Sequence, residues 1–325
     1  MKDMVYPYDK GLYSRLFLNC FQRQSLVMLA ERGAPVPQLL HRCLVSTDDM
    51  LRQIVREQRP KYAFDSELLA PDDLAGIGIV AEEVAFETYA EARRLLLDVV
   101  AGEGSAILVG DVFYWPHCPE YTSKHLVHTI VLKGFEPDTG QWSIIDDNPA
   151  SVLCSYAYPE DVIAAGFDNN ELRRVRYYTT TSFDADEGRE AARRAFADRV
   201  DRYEDSHTLL TGVGDLLASR WIAPERAIAA LHDVFSIYQG SRAGLAAYIR
   251  GSAPSIPGSA AEPEVAAVLD RIVARTADAQ NQLLLGKVTG LLDVDRLSAL
   301  CLGLKTAETE LLHGLREVTR AREAA

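Results

Sequence analysis

Three residue types, in order along the chain, carry most of the chemistry this sequence offers. Cys20 comes immediately before Gln22 to Arg32, a run with the amphipathic spacing of a helix. A thiol there meets the positive end of the helix dipole and free backbone N–H groups, which favour the thiolate and could cradle an oxyanion. His128 opens an apolar run, HTIVLKGF, that reads as a strand, so its ring projects from a sheet edge. Asp146 and Asp147 close the neighbouring strand, QWSIID, and one carboxylate could hydrogen-bond the second imidazole nitrogen and fix its tautomer. A nucleophilic thiol needs a depressed pKa, a base and a group that orients the base, and these residues supply a candidate for each. Each also has a plainer reading: a small buried cysteine, a structural histidine, aspartates that form a turn before Pro149. Their joint occurrence in this order tips the balance toward chemistry. His117, Cys118, His125 and His128 match no familiar zinc spacing, so no metal is expected.

The elements that must position these groups divide the chain in two. Residues 1–184 alternate helical stretches with β-rich runs, and residues 185–325 are Ala, Leu, Arg and Glu rich at helical spacing. In the first part Thr47, Asp48 and Asp49 cap a helix through about Gln58, and Thr88 caps another carrying Ala92, Leu95, Leu96, Val99 and Val100. Gly76 to Val80 is a short apolar run, and strands are predicted at 105–114, 128–135, 141–146 and 172–182, with a hairpin turn over Glu136 to Gly140. In the second part helices are predicted at 188–204, 207–220, 224–250, 262–290 and 293–320, with a low-complexity loop over Gly251 to Pro263. Their apolar faces could bury against each other or form a homodimer interface.

At 325 residues the chain has room for two cores, and 48% hydrophobic with 25% charged residues is the balance of a globular protein. The formal charge of −13 repels nucleic acid and anionic lipid, and no run of about 18 apolar residues exists to span a membrane. The N-terminus has no apolar secretory stretch, and the five cysteines form no CxxC pair, so the expected location is the cytoplasm with free thiols. Cys43, Cys154 and Cys301 read as small core residues.

Asn19, Cys20, Phe21 and Gln22, followed by a helix ending in Glu31, Arg32 and Gly33, resemble the opening motif of the butirosin biosynthesis protein H family. The N-terminal domain of that family is similar to C39-type papain-like peptidases. The resemblance continues through GSAILVGDVFYWP (Gly104 to Pro116), through Tyr121, His125, His128 and Gly134, and through WSIIDDNP, and covers roughly residues 5–182. The helical half is only generally like the family's second domain. The resemblance implies an α+β fold: a papain-like (C39-like) cysteine-nucleophile domain over 1–184, then an all-helical substrate and partner domain over 185–325.

The implied activity is acyl transfer in natural-product biosynthesis. An acyl or aminoacyl group would leave the phosphopantetheine thioester of an acyl carrier protein and end on a small-molecule amine. No cofactor of the chain's own is implied. By position Cys20 matches the nucleophile, His128 the base and Asp146 the orienting acid, with Asp147 a close second. Papain-like peptidases carry a Gln about six residues before the cysteine, where this chain has Ser14, so the oxyanion hole would rest on backbone N–H groups with Asn19 or Gln22. Tyr114, Trp115, Tyr121 and His125 would line the cleft, and Arg52 and Arg56, with Arg59 and Lys61, would give an acidic carrier a basic docking patch. A cysteine peptidase or amidase would share every catalytic residue, and a non-catalytic binding protein could keep the same fold.

Overall fold

Runs of β-branched and aromatic residues between Ile79 and Thr180 pair into one sheet because each has an apolar face to bury. The computed structural model describes residues 4–219, 222–251 and 261–323. Its strands are β1 (Met4–Val5), β2 (Ile79–Ala85), β3 (Ala106–Asp111), β4 (Val127–Glu136), β5 (Gln141–Asp147), β6 (Leu153–Pro159) and β7 (Arg174–Thr180). They form a seven-stranded sheet in the order β1-β6-β5-β4-β3-β7-β2, antiparallel throughout. The predicted turn between β4 and β5 is present, with Gly140 at φ 63° where a side chain would be strained and its N–H bonded to Glu136 O at 2.9 Å.

Period-2 alternation decides which side chains meet. Ile130 and Leu132 of β4, Trp142 and Ile144 of β5, and Cys154, Tyr156 and Tyr158 of β6 share one buried face. Leu132 lies opposite Ile144, and Asp146 lies opposite Cys154. That face is covered by the helices Tyr89–Glu103 and Glu160–Asp168, through Ala92, Leu96, Val99, Ile163 and Phe167. Thr88 caps the first helix by accepting from Glu91 N, and Gly104, at φ 76°, ends it. A polar relay fastens the layers: Trp142 Nε1 donates to Tyr89 Oη at 2.7 Å, and Tyr89 Oη donates to Glu160 at 2.8 Å.

Contacts divide the chain into two units, Met1–Arg15 with Cys20–Ala34 and Pro71–Asp184, and Leu16–Asn19 with Pro35–Ala70 and Ala185–Ala325. The sheet belongs to the first. The second gathers the helices Pro224–Gly251, Ala261–Thr289 and Val294–Glu323 with earlier segments of the chain. Its interior holds a buried ion pair, Arg242 Nε to Glu308 at 2.7 Å, with Tyr238 Oη donating to the same carboxylate at 2.6 Å and Arg242 donating to Val45 O at 3.1 Å. The sequence reading did not foresee the strand β6 or the helix Glu160–Asp168, and it differs at two of the helices it did expect. The helix at Thr47 is capped by Ser46 and loosens into a π-turn over Leu51–Arg56, and the single helix expected at 207–220 breaks at Gly212 into Thr208–Thr211 and Val213–Ala218. Of the loop expected at Gly251 to Pro263, residues 252–260 lie outside the described residues. No described helix is long and apolar enough to cross a membrane.

Gly110 of β3 sits opposite His128 on β4, and a Cβ there would lie 2.5 Å from the Trp115 ring and 2.9 Å from Gly166 O. Gly110→Ala is expected to destabilise the protein by about 1–3 kcal/mol, the range for overpacking a filled core. Urea unfolding followed by circular dichroism should show a lower midpoint at unchanged slope; an unchanged midpoint would mean that the strand yields freely.

Candidate active site

The helix α1 (Cys20–Glu31) begins at the cysteine, and its first turns are polar yet buried: Gln22, Arg23, Gln24 and Ser25. Burying four such residues costs free energy unless each finds partners, so their partners explain how the helix is seated. Gln24 Nε2 donates to Thr129 O at 2.7 Å and to Asp146 Oδ1 at 3.0 Å. Arg23 donates to Ser151 O at 2.9 Å and pairs with Asp147. Ser25 Oγ accepts from Tyr178 Oη at 2.8 Å. These bonds hold the N-terminus of α1, and with it Cys20, at the end of β4 and β5 where His128 and Asp146 stand.

His128 Nε2 lies 2.9 Å from Asp146 Oδ1 and 3.0 Å from Oδ2, which leaves Nδ1 to meet the thiol. Burial opposes ionisation of Cys20, but the His128 charge and hydrogen bond outweigh it, and with Thr129 and Arg15 assisting the thiol is lowered from 9.0 to about 6. Burial likewise opposes a charged His128, yet Asp146 and Cys20 lift it well above 6.5. Asp146 is wholly buried, which alone would raise its carboxyl; His128 and His117 bring it below 3.8 instead. All three shifts favour the charged forms: thiolate, imidazolium and carboxylate.

Alternation separates the two aspartates. Asp146 continues the Trp142 and Ile144 face, which His128 shares with Ile130 and Leu132, and Asp147 points the other way. There Asp147 pairs with Arg15 and Arg23, so its place as the second choice for orienting His128 falls away. Burial leads in lowering Arg23 to about 10. Asn19 immediately precedes Cys20 and is half-buried, and Gln22 is buried on α1.

The expected cleft residues are placed differently from one another. Trp115 is wholly buried, filling a slot left by Gly110 and Gly166 and meeting His128 edge-on at 6.2 Å, so it backs the histidine from the core instead of lining a cleft. His125 is exposed, bonds Asp111 Oδ2 at 2.6 Å through Nδ1, and stacks on Phe113 at 4.2 Å with Tyr114 beside it. Tyr121 is exposed. Arg52 pairs with Asp49 at 2.9 Å and Glu57 at 2.8 Å, which offsets the charge expected for docking; Arg56 is exposed.

Sequence reasoning missed Gln24, His117, Arg15 and Arg23 as partners of the aspartates. For Gln24 and Arg23 the signal was the polar run QRQS on a helix that otherwise reads as core; His117 and Arg15 carried none. His117 Nε2 lies 2.7 Å from Asp146 Oδ2 and 3.6 Å from Cys118 Sγ. The ligand atoms of His117, Cys118 and Asp146 fall within 4.8 Å of one another, as a cation would need. Burial and the Asp146 charge, however, push the Cys118 thiol up, and Asp146 already takes three side-chain donors. The same shift disfavours Cys118 as a nucleophile.

Fold and site together define a mixed α+β protein in which the start of α1 brings a cysteine to a histidine and an aspartate at one end of an antiparallel sheet. No family model matches the chain. Over 235 residues, 69% of this chain and 76% of the other, it is 25% identical to the ribostamycin:4-(gamma-L-glutamylamino)-(S)-2-hydroxybutanoyl-[BtrI acyl-carrier protein] 4-(gamma-L-glutamylamino)-(S)-2-hydroxybutanoate transferase of Niallia circulans. This match bears out the resemblance to the butirosin biosynthesis protein H family.

Alkylation of Cys20 by iodoacetamide should follow its thiolate fraction, half-maximal near pH 6 and level above it. Asp146→Asn removes the charge that holds the imidazolium, so the midpoint should climb toward 9.0, and Arg15→Gln should move it less. A midpoint near 9.0 in the unaltered chain, read by peptide mass spectrometry, would dispose of the ion pair.

Proposed function

We propose that the chain is a cysteine-dependent acyltransferase that takes an acyl or aminoacyl group from the phosphopantetheine thioester of an acyl carrier protein and forms an amide on a small-molecule amine. The observation that carries this reading is Cys20 at the start of α1, lowered to about 6 beside a His128 that Asp146 holds at 2.9 Å. The order cysteine on a helix, then histidine and aspartate on neighbouring strands, supports a papain-like arrangement in the sheet-bearing unit. The relative's name describes transfer from an acyl-carrier protein, which supports the donor class. The helical region 185–325 is the part left to serve substrate and carrier, and the buried thiols fit a reducing cytoplasm.

In the first half-reaction the Cys20 thiolate attacks the thioester carbonyl carbon. The oxyanion faces the free backbone N–H groups at the start of α1, where the helix dipole favours negative charge. Collapse breaks the bond to the carrier sulfur, which takes the proton of His128 as it leaves and so exits as a thiol. An acyl-enzyme and a neutral imidazole remain. In the second half-reaction a neutral amine attacks the acyl carbon, His128 accepts the proton it sheds, and the bond to Cys20 breaks. The amide departs and the thiolate–imidazolium pair is restored. Aminolysis must outrun attack by water, so the amine has to be bound and oriented before the acyl group is exposed to it.

Intact-mass spectrometry after incubation with a carrier-bound acyl thioester should show a mass gain equal to the acyl group, absent in Cys20→Ala. His128→Ala should slow that gain by about 10²–10⁴. An added amine should discharge the enzyme to an amide. Free acid alone would make the chain a hydrolase, and no gain in mass would exclude acyl transfer.

A further inference from the structure

An acid that merely orients an imidazole needs to accept one hydrogen bond, but Asp146 is gripped from three directions. His128 lies across both carboxylate oxygens, at 2.9 and 3.0 Å. Gln24 Nε2 braces Oδ1 at 3.0 Å, and His117 Nε2 braces Oδ2 at 2.7 Å. The carboxylate is thus fixed at each oxygen by a separate donor while its full width faces His128.

His117 is built into this place. It follows the 3-10 turn Val112–Tyr114 and Pro116, in a segment fixed by Cys118 N donating to Trp115 O at 3.0 Å. Its side chain is 2% exposed and its ring stacks on Tyr156 at 4.4 Å and Tyr158 at 5.5 Å. Both tyrosines stand on β6, the strand paired with the one that carries Asp146. Its Nδ1 has no hydrogen-bond partner among the described residues. With Nε2 facing Asp146 Oδ2, the ring meets the carboxylate as an N–H donor. Leaving a buried ring nitrogen bare has a cost, and native structures keep such atoms where a neighbouring bond makes up for it.

We propose that His117 is a positioning residue for the acyl transfer described above: a second imidazole that, opposite Gln24, locks the rotation of the Asp146 carboxylate so that it holds His128 toward Cys20. This rests on the proposed function for its consequence but not for its first measurement, which needs only the thiol. If the carboxylate is free to turn, the imidazolium is held less firmly and the thiolate loses its counter-charge.

His117→Phe keeps a flat ring for Tyr156 and Tyr158 and drops the donor; His117→Leu drops both; His117→Gln keeps an N–H donor. Each is first checked for the parent's circular dichroism and cooperative melting. Phe and Leu variants are expected to raise the iodoacetamide midpoint of Cys20 by at least half a pH unit and to lower kcat roughly tenfold to a hundredfold, with the KM for the carrier-bound donor unchanged. The Gln variant should recover most of both. A folded Phe or Leu variant with parental midpoint and kcat would overturn the proposal, as would a Gln variant no better than Phe. A midpoint that depends on His117 in a chain that transfers no acyl group would uphold the clamp and overturn the proposed function instead.

Discussion

A single carboxylate shut away from the surface organises the sheet end of this protein. Asp146 is fully buried, and a lone charge there would be expelled or protonated. It stays ionised because side chains from three separate segments turn donors onto it: Gln24 from α1, His117 from the segment after β3, and His128 from β4. Each donor is fastened by its own packing, so the charge and the fold hold each other in place. The thiol chemistry is downstream of that. An imidazolium is stable beside Cys20 because Asp146 is negative, and the thiol ionises near pH 6 because the imidazolium is there.

Much of the architecture could be read from local pattern. β4, β5 and the turn between them follow from HTIVLKGF, EPDTG and QWSIID, where alternation and turn chemistry agree. The helix after Thr88 follows from its cap and its apolar stripe. The long helices after residue 184 fit within a few residues of their ends. The π-turn at Leu51–Arg56 and the break at Gly212 carry little local signal, because packing against distant helices decides them. Residues 16–19 and 35–70 group with the helical region for the same reason, since no composition shift marks which core a segment joins.

At the site, the residues whose chemistry is conspicuous in a sequence are found together: Cys20, His128 and Asp146. The choice between Asp146 and Asp147 was legible in principle, because period-2 spacing from Trp142 and Ile144 puts only the first on the histidine's face. What could not be read were the braces. Gln24 looks like any polar residue of an amphipathic helix, and His117 is one of several histidines in a short stretch. Only the meeting of α1, β5 and β6 gives them a common target. Trp115 misled in the opposite sense: aromatic residues beside a histidine suggest a cleft, but two glycines leave a slot behind the strand that the indole fills.

Because Asp146, the groups that brace it and His128 enter from segments far apart in the chain, the ionised state of Cys20 has no local origin. A nascent polypeptide that has emerged only through β4 carries Cys20 as an ordinary thiol, ionising near 9 like any other, since the strand that bears Asp146 has yet to be made. The thiolate therefore appears only with completion of the sheet, which ties it to successful folding.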